Sequence, residues 1–406
     1  MPGSTVQLLT SEDSDIVDGT ESEDESGLEL EADESPEIEV PFDPTKIDII
    51  VKAMTIGSLE NRLENGELDL TPDFQRQANV WNIKRKARLI ESILLRIPLP
   101  SFYFSEDDDG TYAVVDGLQR LCAVFHFMKP DALAKATGAR LPPLKLQELQ
   151  YLKELNGKTF DELDRKFQRR ISELEITANI IRASTPPAVK FNVFARLNQG
   201  GMPLNAQEIR NAIFPGQWRK KIRSLASTDV FKKATEGKIR TERQQDAELI
   251  LRFIALWQLT PLFKRRPNQT LDEFLNSVVE EQFPLWTENK WAEAERAFVY
   301  SVEAAKTIFG RHVFRKSSGN QRRSPINRGL FEAQSLVCGV LSQEEVETLH
   351  NRKDLVSQAF ADSLENNEDF SRSLLYATGS AGASNTRIKV ISEIFIKVFD
   401  AKLPTS

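Results

Sequence analysis

The chain of 406 residues predicts an α+β domain, a small mixed sheet with flanking helices, followed by an all-helical domain and preceded by an acidic tail. Three observations carry that reading. Strand-like apolar runs occur between residues 47 and 181 and cease by Arg182. Beyond Phe214 apolar residues recur at helical spacing almost throughout. Residues 1–44 hold fifteen Asp and Glu and no Lys or Arg. The expected bounds are 1–44 for the tail, 45–214 for the α+β domain and 215–406 for the helical domain, with the break falling between Phe214 and Gly237.

The tail is too polar to bury the surface that would offset its ordering entropy, so disorder is expected. Removing its fifteen charges from a whole-chain net of −7 leaves the remainder at +8. The tail therefore reads either as a solubilising segment or as a phosphate mimic that competes with nucleic acid for a basic body.

After Lys46 the order is a strand at 47–52, a short helix at 58–65 and an extended piece at 67–70, with Pro72 fixing the exit. Phe74, Gln75 and Arg76 follow. Trp81 leads into a helix with Ile83, Ala87, Ile90 and Leu94 on one face and Lys84, Arg85, Lys86 and Arg88 on the other, ending before Pro98. The basic face is either solvated or set against a nucleic-acid backbone. Apolar runs at 102–104 and 112–115, split by the acidic turn 106–110, read as a hairpin. Leu118, Leu121, Cys122, Phe125 and Met128 then recur at helical spacing, so a helix begins at the turn with Asp116 placed to cap it.

Residues 141–185 contain apolar alternation with a polar turn at Asn156-Gly157, and within them 174–181 read as the strand that closes the sheet. Pro186 and Pro187 open a helix that carries Arg196 and Asn198 near its end and is broken by Gly200 and Gly201. Asn205 with Glu208, and Ser342 with Glu345, have capping-box spacing. Two basic links separate later helices. The second, 311–328, carries six Lys or Arg and no acid, so Arg315, Lys316, Arg322 and Arg323 are the candidates for a nucleic-acid backbone contact, with a solvated linker as the alternative.

The turn at 115–121 concentrates the chemistry. A glycine between a strand and a helix aims main-chain N–H groups and the positive end of the helix at one small volume, which suits a phosphate. Arg120 adds a bidentate cation and Gln119 a neutral donor and acceptor. The plainer reading is an Asp cap and a surface Arg on a core helix. The loop at Asn198, Gly200 and Gly201 is likewise either a simple helix-loop-helix turn or a ligand-facing loop that permits close main-chain approach.

Several classes are excluded. No apolar run approaches the ~20 residues needed to span a bilayer, so no membrane partner is expected. No GxxxxGK[ST] P-loop is present. The three histidines, His126, His312 and His350, are far apart and have no metal-ligand spacing. Cys122 and Cys338 lie in apolar helical patterns and read as buried thiols of a cytoplasmic protein.

Four segments carry a family resemblance. VDGLQRL (115–121) resembles the Asp-Gly-Gln-Gln-Arg signature of the GmrSD-type restriction-system N-terminal domain, a family placed with the ParB and sulfiredoxin-like fold. PDFQRQANVW (72–81) with RLIESILLRIPLPSFYF (88–104) is similar to its Pro-x-aromatic-Gln-Arg element and the helix after it. FARLNQGGMPLNAQEIRNAIF (194–214) is similar to its Asn-Gly-Gly element, and FRKSSGNQRRSPINRGLFE (314–332) to a late element of stand-alone members. Leu118 stands where the signature commonly has its first glutamine, while Asp116, Gln119 and Arg120 match it. The His-Asn-His nuclease constellation that members often carry in a second domain is not recognisable.

The resemblance implies a nucleotide-binding, NTP-hydrolysing module of a restriction or anti-phage system, acting with DNA or a partner nuclease. It implies a nucleoside triphosphate and Mg²⁺ as cofactors. Asp116, Gln119 and Arg120 would be catalytic, with Asp116 a metal ligand or the group that orients water. Gln75, Arg76, Gly117, Asn198, Gly200 and Gly201 would contact the phosphates. A non-hydrolytic DNA-binding or sensor protein is the alternative, and a nuclease in its own right is the reading with least support, because no carboxylate or histidine cluster surrounds the turn.

Overall fold

The computed structural model describes residues 27–29, 44–70, 81–138, 141–197 and 205–401, apart from 215, 240, 242, 261–264, 267–268, 318–321 and 377. The expected architecture is present: a mixed five-strand sheet with helices, then an all-helical region.

Strand β1 (Ile49–Thr55) runs into α1 (Ile56–Asn65), whose start is capped by the Thr55 hydroxyl accepting from the Ser58 N–H at 3.1 Å. The two-residue β2 (Leu68–Asp69) follows, then α2 (Ile83–Leu94), capped by Asn82. The hairpin of β3 (Phe102–Glu106) and β4 (Tyr112–Asp116) leads into α3 (Leu118–Met128) and α4 (Pro130–Thr137). After an irregular stretch come α5 (Arg165–Ser172) and β5 (Glu175–Ile181).

The strand order is β1-β5-β3-β4-β2. β1 is antiparallel to β5 with Ile49 opposite Ile181, β5 is parallel to β3, β3 is antiparallel to β4, and β2 lies parallel to β4. The last strand in the chain, β5, lies inside the sheet between β1 and β3. Ile176, Ala178 and Ile180 are buried and alternate with the exposed Glu175 and Thr177 and the partly exposed Asn179, so one face of β5 is packed and the other is wetter until Ile181.

Alternation of side chains sends successive residues to two different cores. Phe102, Phe104 and Val114 face a core built with α1, α2 and α3, whereas Tyr103, Val115 and Ile181 face the other. That second core starts with α6 (Pro187–Leu197) and α7 (Ala206–Ile213), the latter resting on β4. It continues through α8 (Trp218–Ala226), α9 (Asp229–Thr235), α10 (Gln245–Trp257), α11 (Leu271–Ser277) and the long α12 (Glu288–Phe309). α13 (Arg328–Cys338), α14 (Gln343–Asn351), α15 (Lys353–Asn366), α16 (Glu368–Leu375) and α17 (Ala381–Asp400) complete it. The capping boxes expected at Asn205 with Glu208 and Ser342 with Glu345 are both formed. No helix among the described residues is long and apolar enough to cross a membrane.

The basic face of α2 is not uniform. Lys86 is buried, with its Nζ 3.3 Å from His126 Nδ1, and Ile83, expected on the apolar face, is half exposed. His126 Nε2 meets the Pro142 carbonyl at 2.8 Å, so the ring donates there and accepts from the lysine. Burial pushes both the Lys86 ammonium and the His126 imidazole below their ordinary values.

Candidate functional site at the strand–helix turn

The expected turn lies at the end of β4, but its cap is displaced by one residue. Asp116 is the last residue of the strand, and Gly117 is the helix N-cap, with φ +95° and no side chain closing the end of α3. The expectation that Asp116 caps the helix is thus corrected. The reason is steric: a Cβ on residue 117 would lie 2.2 Å from Cδ1 of the buried Phe102 ring, in a backbone conformation that side chains disfavour. Only glycine lets the strand turn so close to its neighbour.

Arg120, in the first turn of α3, is drawn back over the bend at Gly117. One Nη donates to the Pro100 carbonyl, and the other donates to the Ser101 carbonyl at 3.1 Å and to Asp116 Oδ2 at 3.1 Å. The guanidinium carbon stands 4.2 Å from the centre of the Phe102 ring. Burial lowers its pKa, against the pull of Asp116, and the group stays a cation in any case. Arg120 therefore ties the segment before β3 to the first turn of α3. The Asp116 side chain remains 48% exposed beside it.

Phe102, Pro100 and Ser101 were not legible as parts of the site. A phenylalanine inside an apolar strand carries no mark of being a platform for a guanidinium, and carbonyl acceptors have no sequence signature at all. Glycine before Arg120 was the one available cue.

Among the other expected site residues, Gln75, Arg76, Asn198, Gly200 and Gly201 lie outside the described residues. Gln119 sits beside Arg120 in the first turn of α3. Asp116 already accepts from Arg120, and no group of three or more His, Cys, Asp and Glu among the described residues is placed to hold a metal ion.

The basic stretch is sorted by the fold. Arg315 is buried, donating to the Ser324 carbonyl at 2.6 Å and standing 3.6 Å from Glu236, and burial lowers its pKa. Lys316 is largely buried and pairs with Glu29. Arg322 and Arg323 are exposed, Arg323 in contact with Glu236. A uniform phosphate-facing row of four cations is therefore not what the fold displays: two of them point inward because their acidic partners come from far away in the chain.

With this geometry in place, comparison with family models identifies the region that contains it. Residues 56–215 match the GmrSD restriction endonuclease N-terminal domain. The chain carries a GmrSD N-terminal domain. The matched span runs from α1 to just beyond α7 and so includes the whole turn, the sheet from β2 onward, and the first two helices of the second core. No curated protein and no solved structure matches the chain.

Proposed function

We propose that the GmrSD N-terminal domain of this chain binds a nucleoside triphosphate at the β4–α3 turn and hydrolyses it, as the nucleotide-dependent module of a restriction or anti-phage system that acts with DNA or a partner nuclease. The observation that carries this reading is Gly117. It brings the end of a buried strand and the N-terminus of an eleven-residue helix together with no capping side chain, an arrangement that favours a phosphate by dipole and by main-chain donors. Arg120 fixes that geometry, and Asp116, half exposed, is the group placed to orient a water. Gln119 adds a neutral contact, and the family signature supports Gln75, Arg76, Asn198, Gly200 and Gly201 as further phosphate contacts.

A second reading, a non-hydrolytic nucleotide sensor, is favoured by one specific observation. Both Nη groups of Arg120 are engaged by the Pro100 and Ser101 carbonyls and Asp116, which leaves it poorly placed as the cation that meets a transferred phosphoryl group.

The test offers ATP, GTP, CTP and UTP, each with Mg²⁺, to the purified chain and to Arg120→Ala. Hydrolysis predicts phosphate release that falls at least tenfold in the variant. Nucleotide binding without release selects the sensor. Absence of both, with retention of duplex DNA that weakens steeply with salt, would overturn the nucleotide reading in favour of a DNA-binding protein.

A further inference from the structure

Within the acidic tail, Gly27, Leu28 and Glu29 are seated on the helical region, where composition alone predicted disorder. Leu28 is fully buried and forms a parallel bridge with Ile326. The Glu29 N–H donates to the Ile326 carbonyl at 2.9 Å, and the Ile326 N–H donates to the Gly27 carbonyl at 3.0 Å. Ile326 also bridges Arg315 on an antiparallel neighbour, so three short extended pieces lie side by side.

Each residue of the triplet meets a different demand. Gly27 has φ +74°, and a Cβ there would stand 2.9 Å from Lys238 Cβ. Leu28 joins the apolar core of the helical region. The Glu29 carboxylate accepts from Asn327 Nδ2 at 2.8 Å and pairs with Lys316, while its carbonyl accepts from Arg328 Nη1 at 2.9 Å. Main-chain pairing, one apolar socket and one cationic socket are the means by which a folded surface reads an extended peptide. A nucleic acid offers neither the strand bridge nor a side chain for the Leu28 socket.

We propose that Lys238, Lys316 and Ile326–Arg328 form a docking groove for an acidic peptide of the form Gly-Leu-Glu, and that residues 27–29 occupy it in cis as a self-ligand. Tethering gives the segment a high effective concentration, so a competing acidic peptide enters only when the tail is displaced. The tail is thereby a cover for a peptide site, and this holds whether or not the turn at Gly117 binds nucleotide.

The experiment uses the full chain and its Leu28→Asp/Glu29→Lys variant, with a fluorescein-labelled peptide of residues 24–32 as the probe. The variant is expected to bind this peptide at least tenfold more tightly than the wild type, and a peptide carrying Gly27→Ala is expected to lose at least tenfold. Amide exchange at Ile326, slow in the wild type, is expected to speed up in the variant. Equal peptide affinity for both chains, no peptide binding to either, or Ile326 exchange that is equally fast in both would overturn the proposal. So would a variant that gains duplex DNA but no peptide.

Discussion

The sheet region and the helical region hold buried charge by different means. Around the sheet the main chain does most of it. The Glu91 carboxylate accepts the N–H groups of Gln150, Tyr151 and Leu152 at 3.0, 2.7 and 2.9 Å. Arg170 donates to the Leu94 carbonyl at 2.7 Å, Lys190 to the Glu106 carbonyl at 2.9 Å, and Arg120 to the carbonyls before β3. In the helical region carbonyls serve too, as for Arg387 with Ser373 and Thr378 at 2.7 and 2.9 Å, but side-chain partners are added. The wholly buried Arg210 reaches Asn276, Gln207 and Asp272 at 2.8, 2.7 and 2.6 Å, and Arg387 faces Glu332 at 3.1 Å with both side chains about 1% exposed.

The cause lies in what each architecture leaves unpaired. Irregular segments between strands have N–H and carbonyl groups in search of partners, while a helix consumes its own except at its ends. Charge near the sheet therefore shapes loops, whereas among the helices Arg210 and Arg387 also form pairs with Asp272 and Glu332 whose members depend on each other.

The sharpest break of this contrast is Glu332→Ala. It leaves the Arg387 guanidinium and the Ser384 hydroxyl facing no anion, and should cost about 3–5 kcal/mol, read as a shift of the urea midpoint at unchanged slope. A loss below about 1 kcal/mol would show that the helical pairs are not mutually dependent.

Two glutamates sharpen it through pH. Burial pushes Glu208 up to about 7 from an ordinary 4.5, against Arg243 and the Asn205 N–H. Between those values the unfolded chain releases a proton that the fold keeps, so stability should fall as pH rises through that window, by about 3 kcal/mol at most, and be flat above it. Glu208→Gln should remove the slope. Burial also acts upward on Glu91, but the N–H groups of Leu152, Gln150 and Tyr151 outweigh it and hold the carboxyl below its ordinary value. Its contribution is present above that value and lost as pH falls below it, so Glu91→Gln should flatten the acid side of the same profile. Chemical denaturation from pH 3.5 to 8.5 measures both, and slopes of the same sign would defeat the contrast.

The smallest effect is expected at the turn. Gly117→Ala should cost about 2 kcal/mol from a strained backbone and a crowded Phe102 ring, with part of the loss returned by adding Phe102→Leu. Thermal unfolding of the wild type and the two variants checks it.

What was legible in the sequence follows from range. Asn205 with Glu208 and Ser342 with Glu345 are three residues apart, and their reciprocal hydrogen bonds are there as spacing implied. The hairpin partners of 102–106 and 112–116 are also near neighbours. Lys86 was hidden because a run of four basic residues gives no sign of which one turns toward His126. Arg315 and Lys316 read as surface cations because Glu236 and Glu29 are remote in sequence. At the turn, Asp is the better cap by preference, and only the unseen proximity of Phe102 hands that place to Gly117.

The interior position of β5, between β1 and β3, has a consequence for how the chain comes off the ribosome. β1 pairs with no other strand, and one side of β3 waits for the same partner, so the first half of the sheet stays open until Ile181 has been made. Maturation of this domain is thus a late, long-range closure, and a nascent chain halted before that residue presents two unsatisfied strand edges to its surroundings.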